Sequence, residues 1–108
     1  EIIASLTVLS RALISTGACE DALALLEEAE TWILREYGTK HPKMARLHHV
    51  RGMAHIGLRN VDEALEDASR ALALRESLYG ANHSYAQESR ALLQEAKQLE
   101  QEWLAERQ

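Results

Sequence analysis

Tyr37-Gly38-Thr39-Lys40-His41 and Tyr79-Gly80-Ala81-Asn82-His83 are one pattern written twice at an offset of 42 residues, and Ala22-Leu23 returns at the same offset as Ala64-Leu65. A period of that length marks supersecondary units that cannot bury their apolar faces alone and stack on their neighbours. Outward from these stretches, Ala12, Ala54 and Ala96 fall in step, as do Ala29 with Ala71, Val8 with Val50 and Ile14 with Ile56. Small residues recurring at one place in a helical repeat mark where two backbones approach closely.

The same spacing predicts five helices. The first, about Ile2 to Thr16, repeats Leu6, Leu9, Leu13 and Ile14 at helical intervals and ends at Gly17. The second, about Glu20 to Tyr37, carries Ala22, Leu25, Leu26, Ala29 and Ile33 on one stripe, with Glu20 and Asp21 at its positive end. Gly38 closes it in the left-handed conformation, and Pro42 opens a third helix that reaches about Leu58. Asn60 with Glu63 reads as a capping box for the fourth, which ends at Tyr79-Gly80; Ser84 with Gln87 repeats that logic for a fifth running to the carboxyl end. The expected organisation is one domain over 1–108, with helix pairs at 1–38 and 43–80 and a final capping or third-repeat helix at 84–108.

Gly17-Ala18-Cys19-Glu20-Asp21-Ala22-Leu23, then Ala29, then Tyr37-Gly38-x-x-His41-Pro42, resembles the tetratricopeptide repeat in its longer, kinesin-light-chain-like form. The resemblance covers essentially the whole chain. It implies an all-α fold of antiparallel helix pairs stacked as a short right-handed superhelix of about two and a half repeats. Where the family has large apolar residues in the first helix of a pair, the second pair has His48, Arg51 and His55. Either the third helix is rotated, with Met44, Leu47, Val50, Ala54 and Leu58 inward, or these three polar groups need partners inside; burying an unpaired Arg is expensive, so rotation is the preferred expectation.

Composition narrows the function. The net charge of −5 argues against general nucleic-acid binding, which leaves a basic excess. No apolar run has the length of a bilayer span, and the single Cys19 fits a reducing compartment, so a cytoplasmic setting is expected. The chain opens on Glu1 within a periodic segment, which reads as a piece of a longer protein. One Cys, no Gly-rich phosphate loop and no Gly-flanked Ser give no basis for catalysis or for a bound cofactor. His41, His48, His49 and His55 invite a metal reading, yet His48 and His55 stand roughly 10 Å apart along a helix, against Zn–N bonds of about 2 Å. Surface or interface histidines that could tune binding near neutral pH are the expectation.

Between Glu36 and Asp62 no acidic residue occurs, while Lys40, Lys43, Arg46, Arg51 and Arg59 do. Lys40, Lys43 and Arg59, near helix ends, read as solvated charge. In the resembled family the first helix of each pair lines a concave groove for an extended or helical peptide. Carried across, that groove comprises Thr7, Arg11, Arg46, His49, Met53 and Ile56, and its cations imply an acidic protein partner. The family's paired Asn clamp for a terminal carboxylate has no counterpart here. Trp32 is expected half-buried between repeats, whereas Leu99, Trp103 and Leu104 on the last helix form a candidate apolar interface. The alternative function is therefore a structural or oligomerisation segment that self-associates through its open ends, or a regulatory domain of a larger enzyme.

Overall fold

The computed structural model describes residues 1–107. Five helices follow one another: α1 (Ile2–Ser15), α2 (Cys19–Glu36), α3 (Pro42–Gly57), α4 (Val61–Tyr79) and α5 (Ser84–Glu106). The starts of α2 and α4, and of α3 and α5, reproduce the 42-residue offset. Gln108, onto which the sequence reading extends the last helix, lies outside the described residues.

Each helix packs on the next, α1 also touches α3, and α3 touches α5; no other pair among the described residues meets. That pattern is an open stack of helix pairs, not a closed bundle, and its extents of 46 × 32 × 19 Å are those of an elongated slab. Ile3, Leu6, Leu26, Ala29, Ile33, Met44, Leu47 and Val50 form the core, with Leu25, Trp32 and Leu74 packed against it. Leu26, Ile33, Leu47 and Val50 are fully enclosed, each worth about 1.5–3 kcal/mol of burial. The repeated alanines behave as expected: Ala22, Ala29, Ala54, Ala64, Ala71 and Ala96 have no exposed surface. Ala12 and Val8 differ in being exposed, on a side of α1 that no described helix covers.

The duplicated Tyr-Gly-x-x-His stretch is one structural device used twice. Gly38 and Gly80 take φ of +79° and +95°, which only glycine reaches without strain. The chain can then reverse so that His41 stacks on Tyr37 with 4.3 Å between centroids and His83 stacks on Tyr79 with 4.6 Å. Each His is also the cap of the following helix. His41 Nδ1 accepts from the backbone N–H of Lys43 at 3.1 Å, and His83 Nδ1 from that of Tyr85 at 3.0 Å. His83, not Ser84, thus caps α5. Asn60 precedes α4 without a side-chain cap; its amide turns back to donate to His55 Nδ1 at 3.1 Å.

The expectation for α3 needs correction. Met44, Leu47, Val50 and Ala54 are buried as foreseen, but His48 is buried too, and Arg51 and His55 are only partly exposed. Rotation is unnecessary because α4 supplies a counter-charge, Asp67, itself 5 % exposed. Arg51 donates to both Asp67 oxygens, through Nε at 3.1 and 3.0 Å and Nη2 at 3.0 Å, and through Nη1 to Glu30 on α2 at 3.1 Å. His48 Nδ1 donates to Asp67 Oδ1 at 3.1 Å, and His55 Nε2 lies 3.8 Å from Oδ2. Burial alone raises the Asp67 pKa; the His48 and Arg51 bonds outweigh it and hold the carboxyl below the ordinary range. One carboxylate so ties α3 to α4, and Arg51 extends the tie to α2.

Candidate functional site

A cleft of about 220 Å³ opens between α1 and the α4–α5 junction, over the start of α3. Ile3, Ala4 and Thr7 make one wall. Pro42, Lys43 and Arg46 follow along α3, and Arg75, Tyr79 and Tyr85 make the far wall. The second Tyr-Gly-x-x-His junction fixes that far wall, since Tyr79 meets Tyr85 edge-on at 5.4 Å while stacking on His83.

The electrostatics of the cleft are one-sided. No carboxylate lines it. Lys43 is engaged by Glu1 at 3.1 Å, an exposed pair of little energetic weight. Arg11, Arg46 and Arg75 have no carboxylate partner among the described residues, whose acidic groups pair instead with Lys43, His48, Arg51, His55, Arg59, Arg70 and Arg90.

Arg75 is the most unusual of these, being only 6 % exposed. Its Nη1 donates to Ser89 Oγ at 3.0 Å and to the Tyr85 carbonyl at 3.1 Å, and lies 3.4 Å from His49 Nδ1. The Ser89 hydroxyl in turn donates to His49 Nδ1 at 3.0 Å. Burial pulls the Arg75 pKa below its usual value, with Glu88 opposing and the Arg46 charge adding to the fall. Burial, reinforced by Arg75 and Arg11, also lowers His49 to about 4. His49 is therefore neutral near pH 7 and accepts through Nδ1, which replaces the expectation that it titrates near neutrality.

Of the six groove positions read from the sequence, Thr7 and Arg46 line the cleft. Thr7 is buried and gives its hydroxyl to the Ile3 carbonyl at 2.8 Å, so Arg46 is the accessible member. His49 sits beneath the far wall through Ser89 and Arg75, Arg11 is exposed nearby on α1, and Met53 and Ile56 are half-buried elsewhere on α3. Of the candidate interface, Leu99 is buried at 6 % exposure, while Trp103 and Leu104 are 40 % and 45 % exposed and Arg107 lies over the Trp103 ring at 4.6 Å. Arg75, Tyr79 and Tyr85 were not legible as site residues in isolation. The available signal was Arg75 standing 42 residues after Ile33, a charge where the first repeat has a core residue. Among the described residues no cluster of three His, Cys, Asp or Glu is arranged to hold a metal ion, and no helix is long and apolar enough to cross a membrane.

Stacked helix pairs with a cleft along their first helices define the class of helical-repeat scaffolds. The chain belongs to the tetratricopeptide repeat family: that family's model matches residues 1–77, through both helix pairs almost to the second Tyr-Gly junction. Repeats of this family typically serve as protein–protein interaction scaffolds. No curated protein matches the chain.

Proposed function

We propose that the chain is an interaction module, of the longer kinesin-light-chain-like repeat form, that holds an acidic peptide or helix in the cleft between α1, α3 and the start of α5. The observation that carries this reading is charge segregation. In a chain of net charge −5, the cleft has no acid and is lined by Arg46 and Arg75, neither of them paired, with the unpaired Arg11 exposed nearby on α1. Unpaired cations beside the apolar Ile3, Ala4 and Pro42 favour carboxylates through charge-assisted bonds and steer an acidic partner inward. The volume of about 220 Å³ falls below the roughly 300–1,000 Å³ of small-molecule pockets, which suits one anchoring side chain rather than a whole cofactor. Selection from a random-peptide library tests it. The chain should enrich acidic sequences, and Arg11→Glu with Arg46→Glu should reverse that enrichment at unchanged helicity. Enrichment of neutral or basic peptides, indifferent to the reversal, refutes the reading.

A second reading, self-association or docking to adjoining repeats through the stack ends, is favoured by α1. Val8 is 66 % exposed, whereas its counterpart Val50 is fully buried. Light scattering on the eluted chain, before and after Val8→Glu, reports on it: a concentration-dependent dimer lost in the variant supports the reading, and a monomer at all concentrations refutes it. With its single free Cys19, either function suits a reducing, intracellular setting.

A further inference from the structure

The two repeat interfaces can be compared position by position at the 42-residue offset. In the first, Thr7, Ile33 and Leu47 are buried, and Ile33 and Leu47 belong to the apolar core. The same three places in the second hold His49, Arg75 and Ser89, also buried. Packing does not explain that exchange, because Thr7, Ile33 and Leu47 already seal the equivalent junction without a charge. Nor does an internal ion pair explain it, because Arg75 has no acid partner among the described residues. All its hydrogen bonds there run from Nη1. Since no buried side-chain nitrogen or oxygen lacks a partner, Nε and Nη2 are the atoms that reach the solvent, in the cleft that Arg75 lines.

We infer that the outward edge of the Arg75 guanidinium, with Arg46 on the rim, is an anchor for one aspartate or glutamate side chain of a peptide partner. The inference rests on the peptide-binding reading above and assigns the residue that carries it. His49 and Ser89 are positioning residues. They hold Nη1 from behind, and the Tyr85 ring, 5.1 Å from the guanidinium carbon, covers one face, so the free edge points in one direction only. A planar fork with two donors on one edge matches a carboxylate bidentately. The source is a side chain rather than a chain terminus. A terminal carboxylate brings its own backbone amide and carbonyl into the cleft, and no Asn or Gln lines the cleft to receive them. A side-chain carboxylate brings only methylenes, which Ile3, Ala4 and Pro42 accept, and leaves its backbone at the mouth.

The test is an NMR titration of the whole chain, following the Arg75 Nε–Hε signal and the amides of Ile3, Arg46 and Tyr85. The probes are acetyl-Leu-Glu-Leu-amide, acetyl-Leu-Gln-Leu-amide and acetyl-Leu-Gln-Leu with a free carboxyl end. The Glu peptide should move the Arg75 signal and bind at least about tenfold more tightly than the capped Gln peptide. Arg75→Ile with His49→Thr and Ser89→Leu, which copies the first interface, should keep the helicity and lose the preference. If the capped Glu and Gln peptides shift the cleft amides equally, in the parent chain and in the triple variant alike, peptide binding stands and the anchor is overturned. Equal or tighter binding of the free-carboxyl peptide overturns the side-chain assignment. No shift from any peptide at millimolar concentration removes both readings together. Should the triple variant lose helicity, the Glu–Gln comparison on the parent chain decides alone.

Discussion

Asp67→Asn removes one charge from the most heavily bonded carboxylate in the fold while keeping its shape. In the parent chain Asp67 accepts from Arg51 Nε and Nη2 and from His48 Nδ1, all within 3.1 Å. The amide can still accept through one oxygen, but its NH2 group then faces the Arg51 donors. Breaking a buried ion pair by changing one partner costs about 3–5 kcal/mol. Arg51 keeps its bond to Glu30 and its side chain is 19 % exposed, so part of its charge stays solvated and the expected loss is about 2–3 kcal/mol. At about 4–8 °C per kcal/mol for a domain of this size, the melting temperature should fall by roughly 8–24 °C.

The assay is thermal and urea unfolding followed by circular dichroism, with an internal control on the same helix. Arg70 and Glu66 form an i,i+4 bridge at 2.9 Å, but their side chains are 58 % and 61 % exposed, so Glu66→Gln should cost at most about 0.5 kcal/mol. An Asp67→Asn cost no larger than that of Glu66→Gln refutes the claim that the buried carboxylate joins α3 to α4. So does recovery of stability on adding Arg51→Gln to Glu66→Gln rather than to Asp67→Asn.

Three further perturbations follow from the same geometry. His49 has a folded pKa of about 4 against 6.5 unfolded, so the unfolded chain binds more protons in that window and stability falls as pH drops from about 6.5 to about 4. The loss is about 2–3 kcal/mol, read from urea midpoints across the window; His55, also lowered by burial, adds in the same direction. A flat profile there refutes the buried neutral His49. Arg59 takes φ of +60° at the place where the first pair has Gly17 at +89°, so Arg59→Gly should stabilise by about 0.5–1 kcal/mol, seen as a raised urea midpoint. An unchanged or lowered midpoint contradicts it. A Cβ on Gly57 stands 2.5 Å from Cys19 Sγ; Gly57→Ala should therefore cost about 1–3 kcal/mol, and Cys19→Ala should recover most of it in a double-mutant cycle. Additive losses remove the contact from the account.

The register of the fold was readable because the chain states its repeat twice, and each statement is local. Tyr37 and His41, or Tyr79 and His83, lie four residues apart, and the glycine between them dictates the reversal. The polar interior was harder, since its pairs are distant in sequence: His48 with Asp67, or Arg75 with Ser89. Taken one residue at a time, the acids of α4 look like solvated charge. Aligned at the 42-residue offset, the signal is present: Leu6 and Leu25 become His48 and Asp67 together. An apolar pair exchanged for an acid–base pair is a compensated change, and that compensation separates a buried network from a rotated helix. The cleft was half legible for a related reason. The first helices were assigned their groove residues, but the far wall comes from the end of a second helix and its junction, which a helix-by-helix reading gives to the convex side.

Stability should follow the same asymmetry between the two interfaces. The core cluster draws on α1, α2 and α3, whereas α5 contributes mostly small buried groups, Ala86, Ser89 and Ala96, beside Leu92 and Leu99. The α5 helix also packs only on α3 and α4. In a linear stack, local opening starts where nearest-neighbour burial is weakest. Amides of α5 should therefore exchange hydrogen faster than those of α2 and α3, by a factor well above tenfold in the central turns. An acidic peptide held by Arg75 touches α4 and α5 across this seam. Its binding should slow exchange in α5 more than in α1, by mass action on the closed form. Uniform protection along the stack refutes the weak seam, and protection gained equally by every helix refutes the placement of the ligand at that junction.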